Sequence, residues 1–234
     1  MSIILAHRGN TNGPHPGTEN SAAAIRHALS QGFGIEIDIR RADNGRFYIS
    51  HDPRPTADST SADDVMRLLR AHPGAMAAIN VKELGYEADL LRFLDAHGVL
   101  GQAFLFDMEL IEPHAGETAR QMRALHPRVR LAARVSDRGE SIERALAIPS
   151  ASVIWLDEFD GAWATEADVR RLKQSGRLVI AVSPELHGAG PEATGDRWAD
   201  FMAWGVDGLC TDFASAFSQA SARLEQPVSI RVAA

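Results

Sequence analysis

Residues 34–40 read Gly-Ile-Glu-Ile-Asp-Ile-Arg, GIEIDIR. Isoleucines at 35, 37 and 39 alternate with Glu36, Asp38 and Arg40. A repeat of two is the repeat of a β-strand, whose successive side chains point to opposite faces. The three isoleucines therefore share one face, and Glu36 and Asp38 lie side by side on the other. Adjacent carboxylates repel, and burial sharpens the repulsion. Something must neutralise them. One solution is a salt bridge to Arg8, Arg40 or Lys82. The other is a hard divalent cation held between the two acids, which the spacing favours only slightly.

Outward from this strand, short apolar runs alternate with amphipathic ones. Strands are expected at 2–7, 34–40, 75–82, 102–107, 128–135, 151–157, 177–183 and 206–211, with a short extra strand at 46–50. Helices are expected near 20–31, 62–71, 86–97, 115–125, 139–147, 165–175, 194–204 and 213–224. Ser61 and Thr165 stand where N-caps belong. Strict alternation of strand and helix argues for parallel β/α architecture. Eight such units in 234 residues fit one closed (β/α)8 TIM barrel spanning 1–234, with a loosely held tail after about 225. A doubly wound open sheet is the structural alternative. The glycine- and proline-rich stretches GNTNGPHPG, HDPRP and SPELHGAGP follow strands and read as loops at one end of the barrel.

Composition narrows the function. With 45% hydrophobic and 24% charged residues the chain is globular, and its net charge of -7 argues against nucleic acid as a partner. An anionic small molecule is still allowed, because a local pocket can be positive on a negative protein. The single cysteine, Cys210, excludes an internal disulfide and is compatible with a reducing compartment. The start, MSIILAHRGN, lacks a basic n-region, and no run is long enough to span a membrane. A cytoplasmic protein without stable membrane association is expected.

In a (β/α)8 barrel the active site lies at the C-terminal ends of the strands. Here those ends carry His7-Arg8-Gly9, Glu36 with Asp38, His51-Asp52, Asn80 with Lys82, Asp107, Arg134, Trp155 with Asp157, Glu185 through His187, and Thr211-Asp212. Any one charged residue at a strand end is ordinarily a solvated one; so many together are harder to dismiss. His7 and His51 suit general acid and base work, since imidazole titrates near neutrality. Arg8 and Lys82 offer positive charge to an anion. A metal, two histidines and two cations are the set that attack at a phosphodiester needs. No P-loop or dinucleotide-binding glycine fingerprint is present. Zinc has no motif either.

The sequence Ala6-His7-Arg8-Gly9, then Thr18-Glu19-Asn20-Ser21, Glu36-x-Asp38 and His51-Asp52 resembles the N-terminal signature of the glycerophosphodiester phosphodiesterase family. Val81-Lys82, Gly205-Val206-Asp207-Gly208 and Thr211-Asp212 continue it in order. The resemblance implies a (β/α)8 barrel, with His7 and His51 as the acid–base pair and Arg8 and Lys82 on the phosphate. It implies Mg²⁺ or Ca²⁺ on Glu36, Asp38 and position 80, with Glu19 and Asn20 as buttresses. It also implies attack by a substrate hydroxyl next to the phosphate, through a cyclic phosphate. Two departures stand out. Position 80 is Asn where the family usually has a third acidic ligand, so either metal affinity falls or Asp157 or Glu185 compensates from across the mouth. Thr18 replaces the usual proline before Glu-Asn. The family's small extra domain is reduced to about residues 41–61.

The expectation is therefore a metal-dependent phosphodiesterase acting on glycerophosphodiesters or related sugar or alcohol phosphodiesters, a part of lipid metabolism. A phospholipase-D-like enzyme on phospholipids and a catalytically impaired phosphoryl-ligand-binding barrel are the alternatives. A Schiff-base lyase on Lys82 explains the lysine but neither the histidines nor the paired acids. Trp155 is either a headgroup platform or a packing residue.

Overall fold

The computed structural model describes residues 3–54 and 59–225. Among the described residues ten strands and eight α-helices follow one another in chain order. They are β1 (Ile3–His7), α1 (Ala22–Ser30), β2 (Gly34–Arg41), β3 (Phe47–Ile49), β4 (Thr60–Ser61), α2 (Ala62–Arg70), β5 (Ala77–Val81), α3 (Glu87–Ala96) and β6 (Ala103–Phe106). Then follow α4 (Glu117–Leu125), β7 (Ala132–Val135), α5 (Ile142–Leu146), β8 (Val153–Leu156), α6 (Glu166–Gln174), β9 (Leu178–Val182), α7 (Pro191–Trp204), β10 (Gly208–Thr211) and α8 (Ala214–Glu225).

The sheet closes on itself. Parallel pairs run β1–β2, β2–β5, β5–β6, β7–β8, β8–β9, β9–β10 and β10–β1. The join between β6 and β7 is a single bridge, Leu105 to Leu131, with the Leu105 N–H donating to the Arg130 carbonyl at 3.0 Å. A ring of eight parallel strands is a (β/α)8 barrel and excludes the open sheet. The remaining strands, β3 and β4, extend β2 antiparallel outside the ring and lie within the 41–61 insertion. The tail expected after 225 lies outside the described residues.

The period-two reading of β2 holds around the ring. Ile4, Ala6, Ile35, Ile37, Ile39, Ile79 and Val81 pack outward against helix residues such as Ile25, Leu29, Val65 and Leu69. Leu5, Ala78, Phe104, Phe106, Trp155, Ile180 and Cys210 fill the interior. The barrel is thus a packed core, and only its upper rim is open to polar residues. Two glycines allow the ring to tighten about β1. A Cβ at Gly34, opposite Leu5, would lie 2.5 Å from the Met76 carbonyl oxygen, and one at Gly208, opposite Ile3, would lie 2.5 Å from the Ile3 carbonyl oxygen.

Thr165 caps α6 as expected, in a reciprocal box with Asp168. Ser61 holds the N-cap position of α2, but its side chain makes no capping bond; its backbone is instead paired with Tyr48 in the β3–β4 ladder. Among the described residues no helix is long and apolar enough to cross a membrane.

Candidate active site

His7 ends β1 and Asp212 follows β10, the strand beside it. The His7 Nδ1 lies 2.8 Å from Asp212 Oδ1, and the same oxygen accepts from the Asn10 amide at 2.8 Å. The other ring nitrogen, Nε2, lies 3.9 Å from Glu36 Oε2. Burial works to lower the imidazole pKa, but the Asp212 hydrogen bond and the nearby Glu36 carboxylate outweigh it, so the net shift is upward.

The two acids of GIEIDIR have different fates. Asp38 is buried, with Oδ1 2.9 Å from Lys82 Nζ and Oδ2 accepting from Asn20 Nδ2 at 2.8 Å and lying 3.2 Å from Arg8 Nε. Burial alone would raise its pKa; the Lys82 and Arg8 charges and these hydrogen bonds bring it below the usual aspartate value. Glu36 is equally buried, yet burial and the Asp38 charge push it up to about 7. Its partners are weaker: the Arg8 backbone N–H at 3.3 Å and the His7 ring. So the salt-bridge answer holds for Asp38 through Arg8 and Lys82. Arg40 pairs instead with Glu83 at 2.5 Å. Glu36 is left short of positive charge.

Glu19 and Asn20, the expected buttresses, both contact Arg8. Glu19 accepts from Arg8 Nη1 at 3.0 Å, and the Asn20 backbone N–H donates to the Arg8 carbonyl at 2.8 Å. Arg8 and Asn20 both have left-handed backbones, φ 51° and 58°, a conformation that functional loops pay for with contacts elsewhere. His51 stands apart from His7. It is 44% exposed, its Nδ1 is 2.9 Å from Asp52, and it lines a small cleft of about 140 Å³ together with Glu19, Asn20 and Asp52.

A second buried network crosses the other half of the mouth. Asn80 sits beside Asp38 in register, but its amide nitrogen donates to Asp107 Oδ2 at 2.9 Å. Asp107 accepts from Arg134 Nε at 2.8 Å, Arg134 also pairs with Asp157, and Asp157 Oδ1 lies 2.6 Å from His187 Nε2. Asp157 therefore spends both oxygens on Arg134 and His187. Glu185 accepts from the hydroxyls of Ser183 and Thr211 and from the Asp212 N–H. Asp157 and Glu185, the two acids weighed as substitutes at position 80, are thus engaged by nearer partners, and among the described residues no three His, Cys, Asp or Glu side chains gather as a ligand set. Trp155 is core, 3% exposed and packed on Phe106 with centroids 4.3 Å apart, and so is no platform at the surface.

Asp107 and Arg134 join these networks although only their strand-end positions marked them, and so does Asp212, to which the sequence assigns no role. Asp212 and Arg134 each lie two residues beyond an inward residue, Cys210 and Ala132, and that phase points to them. Asp107 follows the inward Phe106, so phase turns it outward; its left-handed backbone, φ 69°, turns it back.

Glu109, whose carboxylate accepts the Arg134 backbone N–H, is also pushed up to about 7 by burial. With Glu36 it makes the folded chain bind more protons than the unfolded chain between the usual glutamate value of 4.5 and about 7. Stability is then full below that window and falls as pH rises through it. Denaturant midpoints are expected to drop from about pH 5 to about pH 8, and less steeply in Glu109→Gln, which keeps the acceptor. An unchanged slope in that variant would place the linkage elsewhere.

No family model matches the chain, and no curated protein matches it. Solved structures do. A glycerophosphoryl diester phosphodiesterase from Parabacteroides distasonis superposes with TM-score 0.71 at 18% identity, over 98% of this chain and 88% of that one. The glycerophosphodiester phosphodiesterase of Thermotoga maritima gives 0.64 at 15%, over 94% and 98%. An Oleispira antarctica phosphodiesterase in complex with the product sn-glycerol-3-phosphate gives 0.67 at 17%, over 94% and 96%. The chain has the fold of the glycerophosphodiester phosphodiesterases, a (β/α)8 barrel.

Proposed function

We propose that this protein is a phosphodiesterase of that family, hydrolysing glycerophosphodiesters or related sugar or alcohol phosphodiesters. The observation that carries the reading is the His7 centre: an imidazole held by Asp212, with Glu36 3.9 Å from its free nitrogen and Arg8 and Lys82 gathered on Asp38 beside it. Asp212 fixes the ring so that Nε2 faces the mouth, and the raised pKa lets His7 carry a proton near neutrality. Arg8 and Lys82 supply positive charge where phosphoryl oxygens gain negative charge. His51, oriented by Asp52, is the second proton carrier. One histidine takes the proton of a vicinal substrate hydroxyl, the other gives one to the leaving alkoxide, and water then opens the cyclic phosphate.

The chemistry of the donors fits a hard cation: Glu36 is an under-neutralised buried carboxylate, Asp38 lies two residues along the same strand, and Asn80 is beside Asp38 in register. Glu36, Asp38 and the Asn80 amide oxygen would hold Mg²⁺ or Ca²⁺, which when bound supplies charge stabilisation to the phosphoryl group. Asn80→Asp adds a carboxylate to this set and is expected to tighten Mg²⁺ and Ca²⁺ binding in a calorimetric titration. An unchanged affinity would put position 80 outside the shell.

The test is hydrolysis of glycerophosphocholine, glycerophosphoethanolamine, glycerophosphoinositol and bis(p-nitrophenyl) phosphate, each with EDTA, Mg²⁺ or Ca²⁺. Metal-dependent release of glycerol phosphate supports the reading. No turnover with any metal overturns it in favour of a phosphoryl-ligand-binding barrel, the reading favoured by the Asn80 amide being engaged with Asp107.

A further inference from the structure

Beside the His7 centre lies a cavity of about 460 Å³ that no step above uses. Its walls include Pro14, Pro191, Trp198, Phe213 and Ala216, and its inner end is formed by Glu185 and Asp212. Asp212 is the residue that holds His7 Nδ1 at 2.8 Å, so the cavity begins one hydrogen bond from the proton carrier.

The walls are fixed. Trp198 donates its indole N–H to Ser183 Oγ at 2.6 Å and packs edge-on against Phe217, with centroids 5.2 Å apart. The loop after β1 is tied to the other side: the Gly13 N–H donates to the Asp212 carbonyl at 2.8 Å. Gly13 has φ +120°, and a Cβ there would lie 3.2 Å from the Phe213 ring, so the loop lies flat on that ring. Thr194, 4% exposed, also lines the cavity, and its hydroxyl has no hydrogen-bond partner among the described residues.

We propose that this cavity is the subsite for one alcohol of the diester, and that it selects an uncharged, mainly apolar alcohol; the proposal rests on the phosphodiesterase reading. An anionic group is disfavoured, because the inner end carries two carboxylates and no cation lines the walls. An ammonium headgroup is disfavoured too. Glu185 already accepts from two hydroxyls and a backbone N–H, Asp212 from His7 and Asn10, and only Trp198 and Phe213 offer rings, short of an aromatic cage. An alkyl chain gains by burial against these walls. The unpartnered Thr194 hydroxyl is the polar mark on an otherwise apolar wall, available to an ester or hydroxyl oxygen once the side chains adjust to a ligand.

The test compares methyl, butyl and hexyl esters of glycerol phosphate with glycerophosphocholine on the full chain. From methyl to hexyl, kcat/KM is expected to rise about threefold per methylene, with hexyl above choline. Ala216, on the exposed side of α8, is the place to fill the cavity. Ala216→Trp is expected to cut kcat/KM about tenfold more for the hexyl ester than for the methyl ester, roughly the gain from two to three buried methylenes. Turnover with a flat or falling chain-length series, choline preferred, or an equal effect of Ala216→Trp on all esters would overturn the subsite and leave the phosphodiesterase reading standing. Turnover of no diester at all would overturn both.

Discussion

Replacing His7 with alanine is expected to lower kcat by about 10²–10⁴-fold, the usual cost of removing an acid–base group, with no change in the melting transition. The imidazole is a fifth exposed and stands at the rim, above the packed interior, so its loss opens no core cavity. The chemical loss is specific because the ring is held on one side by Asp212 and faces Glu36 with the other. Steady-state kinetics and a thermal melt of the same preparation check it. Full activity in His7→Ala would remove the proposed mechanism. An Asp212→Asn variant keeps the ring but takes away the charge that raises its pKa, and its pH–rate profile is expected to move to lower pH.

The largest expected effect on stability is at Arg134. Its guanidinium is 5% exposed and bridges Asp107 and Asp157, themselves buried. The two carboxylates hold its pKa far above the ordinary arginine value, while burial works the other way and loses. Arg134→Met keeps most of the side-chain volume but leaves both acids without their cation. Removing one partner of a buried ion pair costs about 3–5 kcal/mol, because the charge left behind stays desolvated. Denaturant titration is expected to show a loss of that order, and adding Asp107→Asn and Asp157→Asn is expected to recover part of it. A single variant as stable as the parent would mean that Arg134 is no strap.

What the sequence made legible follows from periodicity. GIEIDIR announced both the outward isoleucines and the inward acids, and the alternation of eight such strands with helices announced the ring. His7, Asp38 and Lys82 come together because strand-end residues in inward phase have nowhere else to point; Arg8 and Asn20 join them through left-handed backbones, and Glu19 from the loop before α1. What stayed hidden is which partner each acid takes. Arg134 and Asp107 meet across neighbouring strands, and Asp107 enters only through a left-handed backbone that no period reveals. Trp155 falls in the same inward phase as the acids, but one level lower, where the interior is dry. The engagement of Asp157 and Glu185 by nearer partners is likewise a matter of distance, and it leaves Asn80 uncompensated.

The pairing of His7 with Asp212 has a consequence in time. The two residues are 205 positions apart, and the strands that carry them are the first and the last of the ring. A nascent chain that has made every strand but β10 still lacks Asp212, the group that on the proposed mechanism orients the proton carrier His7. Assembly and competence therefore arrive together, with the final strand. On the proposed mechanism the unfinished barrel stays chemically silent during synthesis, and in refolding the recovery of diester turnover is expected to follow the docking of that one strand.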